Sequence, residues 1–247
     1  EEQYLMIALQ LYTVRDALSA NFEGTIRQIA AYGYPAVETA GVYGESPAKA
    51  KALFDELGLK VTSAHSPLPL GDNQQKVLDT VGALDASTIV FPWIAAENFE
   101  SLERIQRLAD QLNEGDAVAR EHGLRLAYHN HDFELRLLPD GSIPLLRLKE
   151  FLSPSVLFEV DTYWVQTAGA NVIEVLNTLG AQASVLMHVK DGPCVPGQAM
   201  TAVGAGVMDF PAIFAAFTAE YLIVEADRVD GDPLAAVEQS FRYLSNL

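Results

Sequence analysis

Cysteine is nearly absent from the 247-residue chain: Cys194 stands alone. One thiol cannot form an internal disulfide, and no cysteine pair exists for a zinc ribbon or a redox motif. Long apolar runs are missing as well. None approaches the roughly 18 residues that a membrane span requires. Basic residues are scarce, with 16 Lys and Arg against 33 Asp and Glu, a formal charge of −17 and a pI near 4.5. Such a surface repels phosphate backbones and anionic lipid, so neither a nucleic acid nor a membrane is expected as a partner. Low-complexity tracts and linkers are also lacking. A cytoplasmic location is the expectation, although a chain that starts at Glu1 is also compatible with a removed leader. A homo-oligomer is compatible with the sequence too.

What remains is a globular composition, 49% hydrophobic and 20% charged. Short β-like runs alternate with longer helical stretches. Candidate strands are Met6–Leu11, Ala36–Thr39, Lys60–His65, Thr88–Pro92, Arg125–Asn130, Val156–Asp161, Ser184–Lys190 and Tyr221–Glu225. They recur roughly every 25 to 40 residues, the period of βα units. Between them, Ile26, Ile29 and Ala30 share one helical face in Thr25–Tyr32. Ala52, Leu53 and Leu57 do so in Ala48–Leu57, and Leu102, Ile105, Leu108, Ala109 and Leu112 in Ser101–His122. Gly33, Gly58 and Gly123 stand where helices should stop before a strand. The first turn, Gln10-Leu11-Tyr12-Thr13, has no glycine, which disfavours a dinucleotide-binding sheet. The expected fold is α/β, a single (β/α)8 TIM barrel over residues 1–247.

Strand parity then sorts the side chains. Leu124 and Leu126 should face the helices, and Ala127, His129 and His131 the barrel. Phe158 and Val160 point out, Glu159 and Asp161 in. Val185, Met187 and Val189 point out, His188 and Lys190 in. Leu222 and Val224 point out, Ile223 and Glu225 in. Ser63, His65, Glu38 and Gln10 are inward as well. Four of the five histidines thus stand at the carboxyl ends of strands, with only His122 in a helix tail. That end of a barrel is where active sites form. Buried charge needs a partner or a metal to offset desolvation. Acids and imidazoles converging there with few cations read as ligands for a divalent ion.

The chain resembles the xylose-isomerase-like TIM-barrel superfamily of sugar isomerases and epimerases, which also includes DNA-repair endonucleases. The segments that carry the likeness are Leu9-Gln10-Leu11-Tyr12-Thr13-Val14-Arg15-Asp16, Tyr128-His129-Asn130-His131-Asp132-Phe133-Glu134 and Phe158-Glu159-Val160-Asp161-Thr162-Tyr163-Trp164. His188-Val189-Lys190-Asp191, Gly204-Ala205-Gly206-Val207-Met208-Asp209-Phe210 and Val224-Glu225-Ala226-Asp227 add to it. The resemblance implies one divalent metal on His129, Asp161, His188 and Glu225. The family's fifth-strand ligand is usually Glu; here it is His129, with His131 of the same parity as the alternative. Trp164 stands where the sixth strand often carries His, and suits a sugar-stacking platform better. Gln10, Glu38, His65 and His131 are expected as substrate or supporting contacts, and Glu159 as a group that orients a ligand.

The implied chemistry is removal of a proton alpha to a sugar carbonyl, with metal stabilisation of the enediolate. Glu225 is the expected proton-transfer group, and Lys190 is expected to polarise a carbonyl or pair with Asp161. Two imidazoles and two carboxylates suit Mn²⁺ first, with Zn²⁺ or Fe²⁺ as alternatives. The expected activity is isomerisation or epimerisation of a small-molecule sugar. Lyase or hydratase action on 3-keto-glycosides is a close variant, and a non-catalytic sugar-binding barrel the non-enzyme alternative. An abasic-site endonuclease would need three zinc ions and a basic groove, which this composition does not offer. The Gly204–Gly206 loop is expected either to cradle a phosphate or to form a tight turn before a helix.

Overall fold

The computed structural model describes residues 6–247. Eight parallel strands close into a barrel in sequence order: β1 (Met6–Gln10), β2 (Ala36–Thr39), β3 (Lys60–His65), β4 (Thr88–Phe91), β5 (Arg125–His129), β6 (Leu157–Asp161), β7 (Leu186–Val189) and β8 (Tyr221–Val224). β8 closes the ring against β1, with Met6 beside Tyr221 and Leu9 beside Val224. The expected (β/α)8 architecture is therefore the observed one. No described helix is long and apolar enough to cross a membrane.

Several strands end one residue earlier than the β-like runs suggest. Leu11 already opens a 3-10 turn, and Pro92 has no N–H to donate to a ladder.

Helices form where capping residues meet an apolar stripe. Asn21, Ser46, Ser101, Asn171 and Asp209 each accept a first-turn N–H through the side chain. Helix Leu102–Glu121 buries Ile105, Leu108, Ala109 and Leu112 as its spacing predicts, while Leu102, expected on the same face, is exposed at the helix start. Helix Pro47–Glu56 differs: it buries Ala50 and Phe54, while Ala52 is exposed and Leu53 only half-buried. The larger Phe54 ring takes the core position, four residues after Ala50 on the same face. Gly33, Gly58 and Gly123 follow their helices at φ of 103°, 69° and 72°, the left-handed region expected of such stops.

Two apolar layers result. The outer one joins strand residues such as Leu9, Val37, Leu126, Phe158, Met187 and Leu222 to the helices. The inner one is small and lies within the barrel: Ala8, Ala36, Val90, Ala127, Leu186, Tyr221 and Ile223. Val185, expected to face outward, packs against this inner layer. It precedes the first residue of β7, so the strand's alternation does not reach it. Above the inner layer the inward positions are polar, and the site begins there.

Candidate metal centre and active-site cavity

Each inward polar residue is set by its neighbour's register. Asp161 of β6 lies beside His188 of β7, and His129 of β5 beside Glu159 of β6. On the other side of the barrel, Gln10 pairs with Glu38, and Glu38 with Ser63. A register shift between Val37 and Glu38 skips Thr62 in β3. This bulge resets the alternation, so that Val61 and Ala64 pack outward while Ser63 bonds Glu38 inside the barrel.

Lowest in this polar layer lies a carboxylate–imidazole lattice. Gln10 Nε2 donates to Glu38 Oε1 at 2.7 Å, and Ser63 also donates to Glu38. His65 Nε2 lies 2.8 Å from Glu159 and 3.1 Å from Glu38. Burial alone would lower the His65 pKa, but Glu38 and Glu159 push it up to about 10. Burial likewise opposes the charge on Glu38, yet His65 and His188 hold it well below the usual carboxylate range.

The four expected ligands converge just above. Single donor atoms of His129, Asp161, His188 and Glu225 all lie within 4.8 Å of one another, and all four residues are buried. Asp161 caps the helix Thr162–Thr167: its Oδ1 accepts the Trp164 N–H at 3.0 Å. Its Oδ2 lies 3.0 Å from the Lys190 ammonium and His129 Nδ1 3.2 Å from Glu159, while Glu159 Oε1 has no partner in the interior. Buried carboxylates and imidazoles gathered this closely need a counter-charge, and a divalent cation supplies one. Asn130 fixes Asp161 from the backbone side, its Oδ1 accepting the Asp161 N–H at 2.9 Å. Burial and the neighbouring His188 keep the His129 imidazole well below its ordinary pKa, so it is neutral with a lone pair to offer. His188 is fixed at both ends, Nδ1 at 2.9 Å from Glu225 and Nε2 at 2.7 Å from Glu38. With Glu38 on one nitrogen, the other is oriented toward the cluster, the usual support of a ligating histidine. The donor set therefore fits a divalent cation.

Lys190 completes the centre and is fully buried. Its Nζ lies 2.7 Å from Glu225, 3.0 Å from Asp161 and 3.0 Å from Asp227. Burial disfavours the ammonium, but Asp161, Glu225 and Asp227 together raise its pKa well above normal. Burial also acts against the Glu225 carboxylate, and is outweighed by Lys190 and His188, which hold its pKa far down. Glu225 is thus ionised at neutral pH, the form that accepts a proton.

A cavity of about 650 Å³ opens above the centre. His129 and Glu225 reach it from below, joined by His65, His131 and Asp227. His131 is kept neutral mainly by burial, its pKa lowered to about 4. Gln10, Glu38 and Trp164 do not line this cavity. Gln10 and Glu38 are wholly buried beneath it, and Trp164 lies behind, with the Lys190 ammonium 5.7 Å from its ring centre. The aromatic faces on the cavity belong instead to Tyr12, Phe91 and Trp93.

The Gly204–Gly206 loop holds a carboxylate of the chain itself. Asp191 accepts backbone N–H groups from Gly192 and Met208 on Oδ1, and from Gly204 and Gly206 on Oδ2, at 2.8 to 3.1 Å. No free donors are left there for a phosphate; the tight-turn reading is the one observed. A Cβ on Gly206 would stand 2.1 Å from Asp191 Oδ1 and 2.2 Å from the Gly192 nitrogen, so only glycine fits.

The family profile described as xylose isomerase-like TIM barrel matches residues 26–247. The chain belongs to that family. This barrel superposes on a sugar phosphate isomerase/epimerase from Parabacteroides distasonis with a TM-score of 0.81 at 22% identity, covering 96% of this chain and 92% of that one. A probable 3-DHS dehydratase, AsbF, from Bacillus anthracis gives 0.78 at 13% identity, covering 98% and 99%. A zinc-bound IOLI protein gives 0.71 at 13% identity, covering 98% and 97%. At these identities the likeness is one of fold. No curated relative matches this xylose isomerase-like barrel in sequence.

Sequence reasoning passed over three features of the site. Asp227 was visible only as the end of a motif, yet it reaches both Lys190 and the cavity. Asn130 was hidden between two histidines. The Glu134 carboxylate, buried under the β5 end, accepts the Tyr128 hydroxyl at 2.7 Å and the His131 N–H at 2.9 Å. A Glu within a run of aromatic and apolar residues was the available signal.

Proposed function

We propose that the chain is a divalent-metal-dependent sugar isomerase or epimerase, with His129, Asp161, His188 and Glu225 as the residues that hold the ion. The observation that carries this reading is the convergence of four buried donor atoms, one from each residue, within 4.8 Å of one another at the cavity base. A bound ion of this kind supplies Lewis acidity to a sugar carbonyl and its neighbouring hydroxyl, which stabilises an enediolate. The donor set of nitrogen and oxygen suits Mn²⁺, Zn²⁺ or Fe²⁺.

The chain's own residues divide the remaining work. Glu225, ionised and open to the cavity, takes the alpha proton and returns it. Lys190 holds Glu225, Asp161 and Asp227 in place and sets the local charge. His65 and His131 line the cavity beside the centre as contacts for sugar hydroxyls. Trp164, with one face toward the Lys190 ammonium, serves as support rather than platform.

A second reading is supported by one feature: both carboxylates that line the cavity, Glu225 and Asp227, issue from the end of β8. Proton removal from one face suffices for elimination, as in a lyase or hydratase on a 3-keto-glycoside. Epimerisation with two bases needs a second base on the other face, where His129 replaces a carboxylate. Reaction in heavy water tests both. The metal-loaded protein should exchange the alpha proton of a responsive keto sugar, and chelation should abolish the exchange. Retention of some substrate hydrogen in the product supports one base, and complete deuteration with inversion requires a second. A protein that holds about one ion per chain yet exchanges no proton in any ketose or aldose would sink the enzymatic reading.

A further inference from the structure

We infer that the cavity takes a neutral glycoside, with the reacting sugar at the His129–Glu225 base and a second ring stacked on the wall formed by Tyr12, Phe91 and Trp93. The inference rests on the sugar reading above and adds the substrate class. Three observations carry it.

The first is room. A free hexose occupies about 180 Å³, the space of roughly six liquid waters. The cavity measures about 650 Å³, enough for the hexose and a second ring of similar size. The second is the wall. Trp93 is 57% exposed and Tyr12 40%, although both are large and apolar-faced, and they stand toward the mouth while His129 and Glu225 are buried at the base. Exposed aromatic faces that line one cavity offer a stacking surface rather than a hydrogen-bonding one.

The third observation is charge. Among the described residues no lysine or arginine lines the cavity. Lys190 lies beneath it, committed to three carboxylates. Arg15 stands behind Tyr12, its guanidinium 4.2 Å from that ring, donating to the carbonyls of Tyr12 and Asp227. His65 Nε2 is taken up by Glu38 and Glu159, at 3.1 and 2.8 Å. Asp227 adds negative charge at the rim, and the Gly204–Gly206 amides are filled by Asp191. A sugar phosphate would find no lysine or arginine on the cavity wall itself, the nearest guanidinium, Arg15, being engaged by two backbone carbonyls. A second ring without charge meets a wall that suits it.

The test reads binding without turnover. Titration calorimetry on the metal-loaded protein compares methyl β-glucoside, phenyl β-glucoside, cellobiose and glucose 6-phosphate. A phenyl or glucosyl second ring should tighten binding at least tenfold over the methyl glycoside, and the two arms tell an aryl aglycone from a second sugar. Trp93→Ala should erase that gain while leaving methyl glucoside binding and metal content unchanged. Glucose 6-phosphate binding more tightly than phenyl glucoside and cellobiose would overturn the inference. So would equal affinity for all three glycosides, a gain that survives Trp93→Ala, or no binding of any glycoside. Metal-dependent proton exchange in free sugars, measured alongside, shows whether the enzymatic reading stands when the glycoside inference fails.

Discussion

Lys190 is the residue whose removal should reveal most about the centre. Its ammonium is fully buried and lies within 3.0 Å of Asp161, Glu225 and Asp227. In Lys190→Met the stem keeps its length and apolar contacts but loses the charge. Asp227 can turn toward water, since 36% of its side chain is exposed, but Asp161 and Glu225 cannot. Removing one partner of a buried ion cluster costs about 3–5 kcal/mol. For a domain of this size each kcal/mol lowers Tm by roughly 2–4 °C, so the metal-free variant should melt about 6–20 °C below the parent. Two of the stranded carboxylates belong to the candidate metal set. Added Mn²⁺ or Zn²⁺ replaces the missing positive charge, and a ligand bound only by the native state stabilises it. The ion should therefore raise the Tm of the variant more than that of the parent. Calorimetry with chelator and with millimolar metal reads both effects. A loss below about 1 kcal/mol, or an ion that helps the variant no more than the parent, refutes the account of Lys190 as counter-charge to the metal ligands.

Elemental analysis of protein purified without chelator should give about one divalent ion per chain. Asp161→Ala and His188→Ala should each lose it while circular dichroism shows the barrel still folded; unchanged metal in both variants removes these residues from the centre. Gly206→Ala pushes a methyl into Asp191 and the Gly192 backbone, and should cost about 1–3 kcal/mol or more by denaturant unfolding; a neutral result would show that the loop yields freely. Burial pushes the Glu134 carboxyl up to about 7, against the Tyr128 and His131 hydrogen bonds that favour its charge. An acid raised on folding adds stability below its unfolded value, roughly 4.3, and that stability is lost as pH rises through 7. Glu134→Gln should flatten the fall in Tm between pH 5 and pH 8, by up to roughly 3 kcal/mol, and a variant with the parental slope would show that Glu134 stays ionised throughout.

The barrel was legible because its strands obey alternation where it matters. In β5 to β7 the inward residues alternate with Tyr128, Val160, Met187 and Val189, which pack outward on the helices, so counting by two places His129, Glu159, Asp161, His188 and Lys190 inside. Helix stops were legible because Gly33, Gly58 and Gly123 adopt a conformation few other residues reach without strain. What escaped was set by distances between strands that are not neighbours in sequence. Glu38 is far from His188 along the chain, yet 2.7 Å from it across the barrel, a contact that strand parity does not report. Trp164 stands in the helix capped by Asp161 and does not line the cavity, which its place in a motif does not report. Of the aromatic wall, Tyr12 and Trp93 stand in the loops after β1 and β4, where no periodicity reports which way a ring faces, and Phe91 is the last residue of β4. Asp191 and the Gly204–Gly206 loop meet through a long excursion, and only the fold shows that one fills the other.

The inward groups form two overlapping clusters, and the geometry ranks them. His65, His129, Glu159 and His188 also bring single donor atoms within 4.8 Å, below the set of His129, Asp161, His188 and Glu225. His129 and His188 belong to both, so what faces their other nitrogens decides. An ion held by the upper set leaves His188 Nε2 facing Glu38 at 2.7 Å and His129 Nδ1 facing Glu159 at 3.2 Å. Each imidazole then has a carboxylate on its free nitrogen, the arrangement that fixes a ligand's tautomer and orientation. An ion held by the lower set would consume Glu159 as a ligand and leave His129 Nε2 with only Asp161, 3.9 Å away, too long for a hydrogen bond. It would also place the charge beside the His65 imidazole, whose pKa is already raised toward 10 by the same carboxylates. Each set reaches the cavity through two residues, the upper through His129 and Glu225 and the lower through His65 and His129, so the partners of the imidazoles decide. In the proposed centre His129 has Glu159 beneath it as partner, and the lower cluster is the support that this partner brings.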